Sequence, residues 1–167
     1  MSNLLKRSLS GIIYVLIFLS SILFSKESYI ILTSLFSIIC VWEFSKLIDF
    51  KGFIGYIFFG LTLFLMLKRP ESYAVVGILG ITIISSLFLI YYLLAKKEII
   101  FSSDRAKSGL LIRYVIFSMV FLVLLPIYKG EYNPYLMISI LVMIWVNDSF
   151  AFLVGKNFGK RKLFVSV

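Results

Sequence analysis

The sequence has no histidine, one cysteine and three prolines, and its charged residues, 15% of the chain, comprise 8 acids against 17 bases. Without histidine, the chain by itself cannot supply a His-based catalytic triad, a His-ligated zinc site or an imidazole proton shuttle. Cys40 has no partner for an internal disulfide and, set in an apolar run, reads as a small packing residue. The shortage of acids leaves a formal net charge of +9. These bases fall in short clusters between apolar runs rather than on one interleaved surface, so they point to membrane orientation and away from nucleic acid.

Apolar sequence fills the space that charge leaves. The chain of 167 residues is 61% hydrophobic with a mean hydropathy of +1.05. No soluble globular domain of this length needs so much apolar sequence, and strict alternation is absent, so the expected class is an all-α polytopic membrane protein and not a barrel. One transmembrane domain over residues 1–167 is expected, with no internal repeat and no soluble module.

Six apolar runs can be read along the chain. Leu9–Phe24 follows Lys6 and Arg7 and, lacking a small-residue cleavage site, reads as a retained first helix. Ser28–Trp42 follows the polar break at Ser25, Lys26 and Glu27, and Trp42 is placed at an interface. An amphipathic connector through Glu43, Lys46, Asp49 and Lys51 leads to Phe53–Leu67, which stops before Pro70. Tyr73–Ala95 carries Gly77 and Gly80, a feature of closely packed membrane helices. The charged loop Lys96–Ser108 precedes Leu110–Tyr128, in which Arg113 is placed to snorkel. The turn residues Gly130, Asn133 and Pro134 then lead into Tyr135–Val154.

With six spans, 4 of the 17 bases (Lys26, Lys68, Arg69 and Lys129) fall opposite the N-terminal side, and the other 13 fall on it. Such a bias predicts a cytoplasmic N-terminus and a cytoplasmic Lys156–Lys162 segment.

The last run contains the residues that need a chemical reason. Asn147 and Asp148 sit inside it, and a carboxylate in a bilayer span costs about 2.5–3.5 kcal/mol on insertion scales, so it faces a bundle interior or a wet cavity. On a helix, Asp148 lies in the half nearer Lys156 and shares a face with Phe152, Gly155 and Gly159. Lys156, Lys160, Arg161 and Lys162 follow. An acid able to hold a divalent cation, next to bases able to hold phosphates, points to polyphosphate chemistry.

Plainer readings stand beside this one. Asp148 could pair with a lysine of another helix, the basic cluster could be an orienting flank against anionic lipid, and Gly155 to Gly159 is a weak packing motif with no Walker ending. A small transporter or channel subunit, with Asp148 lining a cation path, and a lipid-binding structural protein are the alternative functions.

The stretch Asp148–Leu163 resembles the phosphatidate cytidylyltransferases, also called CDP-diacylglycerol synthases. Asp148, Ala151, Phe152, Gly155, Gly159, Lys160 and Lys162 stand at positions matching the family pattern. Leu4-Leu5-Lys6-Arg7 before the first run and Trp42-Glu43-Phe44 closing the second are similar to the family as well. The family's later segments, a Ser-Pro-Lys-Lys-Thr-like stretch and a signature with a histidine and further aspartates, are not found before Val167. The chain is therefore expected to be an N-terminal portion, inactive alone.

The resemblance implies a membrane-bound, CTP-dependent nucleotidyltransferase of phospholipid biosynthesis. It would convert CTP and phosphatidate into CDP-diacylglycerol and pyrophosphate with Mg2+ or another divalent cation. Asp148 would be the catalytic and metal-binding residue. Asn147, Lys156, Lys160, Arg161 and Lys162 would contact substrate. CTP, phosphatidate, membrane lipids and a second copy of the chain are the expected partners, and a bacterial inner membrane with the active side cytoplasmic is the expected location.

Overall fold

The computed structural model describes residues 3–70, 72–95, 103–128 and 130–159. Six helical rods account for most of them: α1 (Asn3–Phe24), α2 (Lys26–Leu47), α3 (Ile54–Lys68), α4 (Tyr73–Leu94), α5 (Asp104–Leu124) and α6 (Pro134–Phe158). Four of these, α2, α4, α5 and α6, are long and apolar enough to cross a membrane. The apolar part of α1, Gly11–Phe24, and α3 are shorter. At about 1.5 Å per residue, the 15 residues of α3 cover less than a hydrocarbon core of about 30 Å. The protein is all-α and membrane-like, as the composition requires.

Small polar residues begin the rods. Ser25 accepts the backbone N–H of Ser28 at 3.0 Å while the Ser28 hydroxyl accepts the N–H of Ser25 at 3.1 Å, a reciprocal cap that lets α2 start one residue after α1 ends. Ser72 and Ser103 cap α4 and α5, and Asn133 caps α6 ahead of Pro134. The Ser103 cap makes the end of the expected charged loop helical, with Asp104 in the first turn of α5.

The expected connector after Trp42 is also largely helix, because α2 continues through Glu43 and Lys46 to Leu47. It ends in a Schellman turn: the N–H of Phe50 reaches the Ser45 carbonyl at 2.8 Å and that of Asp49 the Lys46 carbonyl at 3.1 Å. Asp49 takes the left-handed position with φ 49°.

The rod α5 is the hub. Its residues Leu111–Ile116 form a π-helical segment inside otherwise α-helical hydrogen bonding. Leu111, Val115, Ile116, Phe117 and Val120 pack with Val41 of α2 and Phe59 and Met66 of α3 in the main core. Gly55 permits the close approach of α3, since a Cβ there would stand 2.8 Å from Leu111 Cδ2. By contrast, a Cβ at Gly77 or Gly80 would meet nothing within 4 Å. The close packing expected at those two glycines is therefore not made within the described residues.

A second, smaller core joins Ile22, Tyr29 and Met137, from α1, α2 and α6. Beside it, Ile127–Tyr128 and Glu131–Tyr132 form a short antiparallel hairpin between α5 and α6, where sequence predicts only a turn. The Tyr29 hydroxyl donates to the Leu122 carbonyl at 2.6 Å and the Tyr132 hydroxyl to the Ile22 carbonyl at 2.8 Å. Lys26 Nζ donates to the Gly130 carbonyl at 3.2 Å. Burial pushes the Tyr132 phenol above its ordinary pKa, which keeps it a donor. The ends of four rods are thus fastened at this rim.

Candidate functional site

α6 carries the residues singled out by sequence. Its start is fixed by Asn133, whose side-chain oxygen accepts the N–H groups of Tyr135 and Leu136 at 3.1 and 3.3 Å. Its first half packs inward through buried Met137 and partly buried Ile138 and Leu141. From Val146 to Gly159 every residue is exposed.

Asn147 and Asp148 lie in that open half, and among the described residues no hydrogen bond or ion pair joins Asp148 to a neighbour. Lys156 falls within the helix, in its last turn, and not beyond it. Eight residues of helix separate Lys156 from Asp148 by about 12 Å along the axis, so the two are not in contact. The helix does continue far enough to keep Asp148, Phe152 and Gly155 along one face. Gly159 closes it, its N–H donating to the Gly155 carbonyl at 3.1 Å. A Cβ on Gly159 would press on that carbonyl oxygen, so glycine is needed there for closure. Around Gly155 a Cβ would meet nothing within 4 Å. Lys160, Arg161 and Lys162 lie outside the described residues.

Among the described residues, no group of three cysteine or carboxylate side chains converges to hold a metal. A lone carboxylate still fits Mg2+ in one mode, because that ion commonly takes one or two protein carboxylates and completes its shell with water and substrate phosphates.

Sequence reasoning missed the clefts at the rim opposite the hairpin. One, of about 330 Å³, lies between α4 and α5 and is lined by Ser85, Phe88, Leu89, Leu110 and Arg113 among others. The adjoining one, of about 530 Å³, reaches Asp49 and Lys107. The signal in the sequence was Arg113, a cation inside an apolar run.

Comparison with known proteins gives a family. A model of the cytidylyltransferase family matches residues 5–167. A phosphatidate cytidylyltransferase of Aquifex aeolicus (strain VF5) is 36% identical over 61 residues, a segment covering 36% of this chain and 22% of that relative. No solved structure matches. A match that extends from residue 5 to residue 167 places the protein plainly: the chain belongs to the cytidylyltransferase family.

Proposed function

We propose that the protein transfers a cytidylyl group from CTP to phosphatidate. A phosphate oxygen of the lipid attacks the α-phosphorus of CTP, the bond from that phosphorus to the bridging oxygen of the β-phosphate breaks, and pyrophosphate leaves with the electron pair. The observation that carries this reading is the family match over residues 5–167, and the name of the Aquifex relative directs it to phosphatidate.

Asp148 is the residue proposed to hold the divalent cation, which when bound would neutralise charge on the phosphates. Its place in the open half of α6 supports the role, since a carboxylate in a membrane helix needs water, a cation or a protein partner. Asn147 supplies a neutral amide beside it. Lys156, Lys160, Arg161 and Lys162 are proposed to bind phosphate oxygens of the nucleotide or the lipid headgroup. The proposed arrangement has six spans and a cytoplasmic N-terminus in a bacterial inner membrane, so CTP arrives from the basic side and phosphatidate through the bilayer. A second copy of the chain is the proposed protein partner, and light scattering on the purified protein tests it.

The test of the reaction is incorporation of labelled CTP into lipid by membranes holding the full-length natural protein, with Mg2+ and phosphatidate supplied. Product formation that requires phosphatidate, and falls about 100-fold or more in Asp148→Asn, is expected. No CTP incorporation by the folded full-length protein would overturn the reaction. Undiminished activity in the variant would remove Asp148 from it.

A further inference from the structure

We propose that the cleft between α4 and α5 is a binding site for an anionic glycerophospholipid, with Arg113 as the phosphate ligand. Arg113 belongs to the π-helical segment Leu111–Ile116, an irregularity that recurs at functional sites because it re-aims side chains that a regular helix would place elsewhere. Its side chain is exposed and runs back toward the start of α5, where Nε donates to the Gly109 carbonyl at 3.0 Å. That bond fixes the guanidinium plane. The two terminal nitrogens have no hydrogen bond or ion pair among the described residues, and they are the donors that grip a phosphate in two-point fashion.

The rest of the cleft suits a lipid. Ile84, Phe88, Leu89 and Leu110 give it an apolar wall, and Ser85 adds one hydroxyl. The adjoining cleft shares Leu89 and Leu110 as a common wall. Lys107 lines that second cleft, held by a 3.0 Å hydrogen bond from Nζ to the Asp49 carbonyl. A cation, Arg113, beside an apolar wall matches a headgroup phosphate followed by an acyl chain. Free phosphate would use the cation and leave the apolar wall idle. The groove at Arg113 is separate from the open half of α6, and binding in it needs neither CTP nor a metal.

The experiment uses the whole protein, delipidated and returned to nanodiscs without CTP or Mg2+, with retained lipid read by native mass spectrometry. Wild type is expected to retain phosphatidate or phosphatidylglycerol over phosphatidylcholine. Arg113→Gln should weaken that retention about ten-fold, and Arg113→Lys should keep part of it. Leu89→Trp, which fills the groove and leaves every cation in place, should lower it too, while Lys68→Gln at the other rim leaves it unchanged. Helical circular dichroism and elution position are required to match wild type in each variant. Equal retention of phosphatidylcholine, no loss in Arg113→Gln, or an equal loss in Lys68→Gln would overturn the site. Inorganic phosphate competing fully, with no effect of Leu89→Trp, would overturn the lipid and leave only an anion contact.

Discussion

At Asp49 the chain adopts φ 49° to close α2, a conformation that glycine takes freely and that costs an L-residue about 1–2 kcal/mol. Asp49→Gly is therefore expected to raise stability by about 1 kcal/mol, seen as a higher unfolding temperature in detergent. Gly55 is the opposite case: Gly55→Val would force a Cβ against Leu111 and should destabilise by about 1–3 kcal/mol in the same measurement. Tyr29→Phe removes the donor to the Leu122 carbonyl and should cost about 0.6–2 kcal/mol, the range for hydrogen bonds between membrane helices. None of these three roles could be read from sequence. Asp49 looked like one charge of a connector, Gly55 like any glycine in an apolar run, and Tyr29 like an aromatic near a helix start. Each depends on a neighbour distant in the chain or on a backbone angle, and hydropathy records neither. Asp148 stands out as a candidate because its cost is local: a carboxylate in an apolar run is conspicuous whatever surrounds it.

Whole elements were more legible than their ends. The six apolar runs correspond to six rods, since each run must bury or embed its own backbone hydrogen bonds. Their limits moved wherever a polar helix former extended an apolar helix: α2 through Lys46, α5 back to Asp104, α6 through Lys156. The π-helical segment had no signature, because one extra residue per turn changes neither composition nor polarity. It yields a prediction of its own. Deleting Ile112 should return the segment to α-helical hydrogen bonding and turn Arg113 away from the groove. Circular dichroism should stay helical while anionic-lipid retention falls about ten-fold, as for Arg113→Gln.

For the molecule as a whole, the proposed orientation follows from where the bases fall, and the sequence makes it easy to check. Cys40 is the single cysteine, so Cys40→Ser gives a cysteine-free background in which Lys68→Cys reports one rim and Lys51→Cys the other. An impermeant maleimide added outside intact cells is expected to label Lys68→Cys and to reach Lys51→Cys only after lysis. The reverse pattern would invert the orientation and put Asp148 nearer the outer face.

The hairpin between α5 and α6 bears on where such a bundle is anchored. Through Tyr29, Tyr132 and Lys26 it rivets α1, α2, α5 and α6 together at one rim, whereas at the other rim α6 is exposed from Val146 to Gly159. The hairpin rim is therefore the anchored end of the bundle, where one substitution loosens several rods at once. Asp148 and Lys156 lie at the opposite end of α6 from that anchorage.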